Sequence, residues 1–86
     1  MTAVAPTRAE VERILREVIT SILPGLPPEA VTGDRHLRDL GADSVDRVEI
    51  IIAVTVRLGV DVPLSTFSDT PDIDRMVDQL VEASRR

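Results

Sequence analysis

Proline and glycine are placed so that they leave only three uninterrupted stretches of helical length, and this spacing limits the possible folds more than any other property of the chain. In the first stretch, Thr7 followed by Glu10 has the form of a capping box. Val11, Ile14, Leu15, Val18, Ile19 and Ile22 then recur at the steps of an amphipathic helix, and Pro24 and Gly25 stop it. In the last stretch, Thr70-Pro71 reads as an N-cap with proline at the first helical position. Ile73, Met76, Val77, Leu80 and Val81 repeat the apolar stripe, with Asp72 and Asp74 in the first turn and Arg85 and Arg86 at the end, as the helix dipole prefers.

The middle stretch, Ser44 to Leu58, sets local preference against fold. Val45, Val48, Ile50, Ile51, Ile52, Val54, Thr55 and Val56 are β-branched, and Ile50 to Val56 taken alone reads as a strand. Fifteen residues between a Ser/Asp cap and Gly59, which can serve as the left-handed stop, suit a helix better. Burial between the other helices must then offset a deficit of about a few tenths of a kcal/mol per β-branched residue. The segment from Leu26 to Ala42, with Pro27, Pro28, Gly33 and Gly41, is expected to be a long loop anchored by Leu26, Val31, Leu37 and Leu40. Beyond Pro63, Leu64 to Asp69 is expected to form a short helical turn pinned by Phe67, the one aromatic residue. The expected fold is all-α: a small bundle of three main helices plus one short helix, with a flexible tail at residues 1–6 and a single domain over residues 7–83.

A single domain of 86 residues buries roughly 60–65% of its unfolded surface, so the core is modest. The net charge of −5 disfavours nucleic acid and anionic membranes as partners and favours basic protein surfaces. No apolar run approaches a membrane span and Met1 to Pro6 has no signal-peptide pattern, so the expected location is the cytoplasm. Without cysteine and with one histidine, the chain has neither a thiol of its own nor a metal cluster.

Gly41-Ala42-Asp43-Ser44-Val45-Asp46 carries the chemistry. It sets one serine hydroxyl at a helix start, where unpaired backbone N–H groups and the helix dipole favour a phosphate ester. The plainer use of Ser44, or of Asp43 beside it, is an N-cap. The segment from Asp34 to Ile50, followed by Leu58-Gly59-Val60-Asp61-Val62-Pro63, resembles the acyl carrier proteins of fatty acid and polyketide synthesis. It has their leucine-x-x-leucine-glycine approach, aspartate-serine pair, apolar second helix and glycine-apolar-x-apolar-proline exit. The resemblance runs from about Thr7 to about Val81.

The resemblance implies a non-catalytic carrier with 4′-phosphopantetheine on Ser44 through a phosphodiester and acyl groups held as thioesters on its thiol. A phosphopantetheinyl transferase would install the arm from coenzyme A with Mg²⁺, the Ser44 hydroxyl attacking the β-phosphorus. Asp43 would cap the helix, help position the metal-bound donor, or do both. Asp46 and Glu49 would meet basic patches on partners, with Arg47 breaking the acidic face; a solvated face is the generic alternative for both acids. His36 is expected to be a solvated loop side chain. Further partners implied are an acyltransferase and a ketosynthase-like or hydroxymethylglutaryl-synthase-like enzyme, the carrier itself acting as a monomer.

Residues 39–51 are most similar to the free-standing donor carriers of polyketide β-branching cassettes. Ile50 stands where acceptor carriers have tryptophan, and Thr55 and Val56 where many fatty-acid carriers have glutamates. A chain-elongation or aminoacyl carrier remains an alternative within the family. An unmodified helical adaptor is the alternative outside it.

Overall fold

The computed structural model describes residues 6–85. Three α-helices, α1 (Arg8–Ile22), α2 (Ser44–Leu58) and α3 (Ile73–Ser84), are joined by segments carrying 3-10 turns at Pro28–Ala30, Leu37–Leu40 and Leu64–Phe67. No strand occurs among the described residues. The tail expected at residues 1–6 falls almost wholly outside them, as does Arg86.

Helix α1 begins at the capping box foreseen from Thr7 and Glu10: the Thr7 hydroxyl accepts from Glu10 N–H at 3.2 Å, while Thr7 N–H donates to Glu10 Oε1 at 3.2 Å. Its stripe of Val11, Leu15, Val18 and Ile19 is buried, and α1 packs against both α2 and α3. The core gathers these residues with Ile50, Ile51 and Val54 of α2, Ile73, Met76, Val77 and Leu80 of α3, and Val31, Leu37, Leu40, Ala42 and Phe67 from the connections.

The β-branched middle segment is helical throughout. Its stop is a Schellman arrangement: Gly59 adopts φ 68°, Gly59 N–H donates to Val56 O at 3.1 Å and Val60 N–H to Thr55 O at 3.0 Å. Burial compensates only part of α2, however. Ile50, Ile51 and Val54 are buried, whereas Val45, Val48, Ile52 and Val56 lie on the solvent face at 42–72% exposure.

One expectation is corrected. Helix α3 starts at Ile73 with Asp72 as N-cap, its carboxylate accepting from Arg75 N–H at 2.8 Å, so Pro71 lies outside the helix. Thr70 is instead buried. Its hydroxyl donates to Gln79 Oε1 at 2.7 Å, and Gln79 Nε2 donates to Thr66 O at 3.0 Å, so the apparent cap fastens the last connection to α3. The long loop is anchored as expected, with Val31, Leu37 and Leu40 buried and Leu26 packed against the core. Ile73 N–H donates to Arg35 O and Asp74 N–H to Gly33 O, both at 2.9 Å, so the loop supplies acceptors for two orphan N–H groups at the start of α3. A side chain at Gly33 would run into the Asp74 carboxylate.

Candidate functional site

The approach to α2 is fixed residue by residue. His36 begins the turn at Leu37–Leu40: its Nδ1 accepts from Arg38 N–H at 2.9 Å, and Asp39 closes the box by accepting from His36 N–H at 3.1 Å. Gly41 ends the turn at φ 96°, a left-handed conformation that a β-carbon would strain, with Gly41 N–H to Arg38 O at 3.1 Å and Ala42 N–H to Leu37 O at 3.2 Å. Leu37, Leu40 and Ala42 are buried, so this turn is nailed to the core immediately before the serine. The expectation of a solvated His36 is therefore corrected. The ring is half-buried, and accepting at Nδ1 leaves its proton on Nε2.

Asp43 is the N-cap of α2. Its Oδ1 accepts from Asp46 N–H at 2.8 Å, and Asp46 Oδ2 accepts from Asp43 N–H at 3.3 Å, a capping box built from two aspartates. Of the two capping candidates the sequence offered, the aspartate takes the role. Ser44 becomes the first helical residue, exposed, and its hydroxyl has no protein hydrogen-bond partner among the described residues. The N–H groups of Ser44 and Val45 are likewise unclaimed, since the box satisfies Asp46 and the Asp43 carbonyl receives Arg47 N–H at 2.9 Å.

Beside Ser44 lies a cavity of about 460 Å³ between α2, the turn at Leu37–Leu40, the turn at Leu64–Phe67 and the start of α3. Val48, Ile51, Leu64, Phe67 and Met76 form its apolar walls; His36, Arg38 and Arg47 line it together with Ser44. The acidic pair named from sequence divides: Asp46 is half-buried in the capping box and Glu49 is exposed. Arg47, three residues after Ser44 and on its face of the helix, is half-buried along the cavity. Reading the sequence missed Arg38 and His36 as neighbours of this serine. Six and eight residues separate them from Ser44 with a turn between, and no local pattern announces that the turn folds back.

A free hydroxyl at a helix start with open N–H donors suits a phosphate ester. The family model for the phosphopantetheine attachment site matches residues 13–80. The chain belongs to the acyl carrier protein family. It is 35% identical over 74 residues to the polyketide biosynthesis acyl-carrier-protein AcpK of Bacillus subtilis, covering 83% of this chain and 90% of that one. It is 33% identical over 54 residues to an acyl carrier protein of Campylobacter hominis, covering 63% of this chain and 68% of that protein. An acyl carrier protein of Rickettsia canadensis is 33% identical over 57 residues, 66% of each chain. No solved structure matches it. The cofactor of the family is 4′-phosphopantetheine, and the carrier's work is with a phosphopantetheinyl transferase and with biosynthetic enzymes.

A few other charged side chains pair at the surface of the bundle. Glu17 accepts from Arg13 at 2.8 Å and from Arg57 at 3.1 Å, tying α1 to the end of α2, and these hydrogen bonds, that of Arg57 first, hold its carboxyl below the ordinary glutamate value. Arg8 pairs with Glu12 and with Asp74 and Asp78 of α3, its guanidinium pushed up chiefly by the hydrogen bond to Asp78. The Asp34 carboxyl is lowered by the Thr32 hydroxyl, which donates to it at 2.6 Å. No helix among the described residues is long and apolar enough to cross a membrane, and no group of three metal-ligating side chains occurs among them.

Proposed function

We propose that Ser44 carries the 4′-phosphopantetheine arm, and that this cytoplasmic, monomeric carrier donates a short acyl group to a hydroxymethylglutaryl-synthase-like enzyme that adds a β-branch to a polyketide. The observation that carries the first half is the exposed Ser44 hydroxyl, relieved of capping by Asp43 and set on the first turn of α2. The arm supplies the thiol that this cysteine-free chain lacks and holds the acyl group as a thioester. Asp43 orients the helix start and leaves the hydroxyl free for transfer; it also has a carboxylate oxygen with which to help place the Mg²⁺-bound donor.

The polyketide half draws on the relative whose name places it in polyketide biosynthesis and on the run of residues 39–51. Partners, including the transferase and an acyltransferase, dock over the first turns of α2, where Asp46, Arg47 and Glu49 lie beside the apolar stripe of Val45, Val48, Ile52 and Val56. Four β-branched residues that lower helix propensity while leaving much of their apolar surface exposed make sense if they are covered by a partner during transfer. Charge steers the approach, and this stripe contributes the contact area.

Incubating the protein with coenzyme A and a transferase, then weighing it intact, tests the attachment: the wild type gains one phosphopantetheine and Ser44→Ala gains none. A Ser44→Ala protein that still gains the arm would refute the site. Side-by-side transfer from the acetyl-loaded protein to a branching synthase and to a chain-extending ketosynthase tests the donor role, and efficient use by the ketosynthase alone would refute it. Ile52→Glu is expected to slow transfer to the branching synthase at least tenfold with the fold intact, and the loss persists at high salt; charge reversal at Glu49 matters only at low salt. Equal effects at both salt levels for Glu49, or none for Ile52, would remove the stripe from the docking face.

A further inference from the structure

The cations of this acidic protein are not evenly employed. Arg8, Arg13 and Arg57 are ion-paired with carboxylates, whereas Arg38 and Arg47 line the cavity beside Ser44 with no carboxylate partner. His36 lines the same wall and keeps an Nε2–H to donate, because its Nδ1 is engaged by Arg38 N–H. The nearby acids are otherwise occupied. Asp43 and Asp46 hold each other's backbone N–H groups, and Asp72, across the cavity, holds Arg75 N–H. Two arginines and an imidazole therefore line the same cavity as one exposed hydroxyl, and the N–H groups of Ser44 and Val45 at the same helix start are unclaimed.

We propose that Arg47 and Arg38, assisted by His36, bracket the phosphodiester at the root of the arm and lean the arm over the cavity between α2 and α3 instead of leaving it to swing freely in solvent. This rests on Ser44 as the attachment point. The phosphorus is bonded to Ser44 Oγ, so its oxygens lie within a side chain's reach of Arg47, one helical turn along the same face. Arginine matches an anionic phosphodiester with a planar fork of donors, which lysine cannot reproduce. Held in this way, the first atoms of the arm leave Ser44 toward Val48, Ile51, Leu64 and Met76, and the apolar wall lies along its path. Arg47 and Arg38 are positioning residues here and take no part in bond making.

The test compares apo and holo protein, the holo form prepared from coenzyme A and verified by intact mass. The side-chain Nε–H signals of Arg47 and Arg38 are expected to shift on loading, those of Arg16 and Arg75 to stay, and the phosphorus signal to broaden. In an Arg38→Gln/Arg47→Gln variant, the ratio of held to free phosphodiester should fall roughly two- to five-fold, the range of exposed ion pairs. NMR relaxation of an isotope-labelled arm and high salt acting on the wild type both read that change. Arg47→Lys should restore the charge but only part of the restraint, a pattern that a merely structural role would not produce. Unmoved arginine signals in the holo wild type, or an equally mobile arm in wild type and double variant, would overturn the bracket while leaving the carrier reading standing. A wild type that gains no mass would overturn that reading instead.

Discussion

Replacing Asp43 and Ser44 separately by alanine separates the cap from the proposed attachment point. Asp43→Ala removes the acceptor held at 2.8 Å by Asp46 N–H and a negative charge at the helix start, while the reciprocal bond from residue 43 N–H to Asp46, at 3.3 Å, survives. Exposed caps of this type are worth about 0.5–2 kcal/mol, the dipole contribution included. One charged, well-formed bond of the two is lost from a helix that carries four exposed β-branched residues, so a cost of about 1–1.5 kcal/mol is expected. For a domain of this size that lowers Tm by about 4–12 °C. Ser44→Ala removes no hydrogen bond and places a better helix former at the first position, so it should cost less than about 0.5 kcal/mol. Asp43→Asn keeps the cap and loses the charge, and should stay near wild-type stability. Urea denaturation followed by far-ultraviolet circular dichroism measures the stabilities, and intact mass after transferase treatment scores modification. Modification should be lost only in Ser44→Ala and slowed in Asp43→Asn if the carboxylate also helps place the metal-bound donor. A Ser44→Ala cost equal to or above that of Asp43→Ala would refute the division of labour, because the serine would then be the cap.

Acid should destabilise the bundle through Glu17. Its carboxyl is depressed in the folded state, so its contribution is present above the ordinary value of 4.5 and is lost as pH falls below that value through the folded pKa; Glu17→Gln is expected to flatten the acid limb of a Tm-against-pH curve. Thr70→Asp tests the start of α3: a residue serving as N-cap would accept the change, whereas a buried Thr70 bonded to Gln79 should lose about 1–3 kcal/mol in a thermal melt.

The parts of the fold that could be read from the sequence are those whose cause is local. The Thr7–Glu10 box, the stripe of α1 and the stop at Gly59 each depend on steps of no more than five positions along the chain, and each stands where the pattern puts it. Phe67 is buried at the short turn expected to hold it. Thr70-Pro71 misled because Asp72 supplies an equally good cap two residues on, and because the partner of the Thr70 hydroxyl is nine residues away on the next helix. The loop acceptors at Gly33 and Arg35 lie about forty residues from the N–H groups they receive. At the candidate site, the place of Ser44 at a helix start was legible, but that His36 and Arg38 line one cavity with it depends on how the turn at Leu37–Leu40 packs beside α2.

Helix α1 packs on both α2 and α3, while those two helices face each other across the cavity. The bundle is thus a spine with two ribs, and the ribs are braced separately: α2 to the spine through Glu17 and Arg57, α3 through Arg8 with Asp74 and Asp78. Because neither brace crosses the cleft, cutting one should loosen only the rib it holds and leave the other seated on the spine.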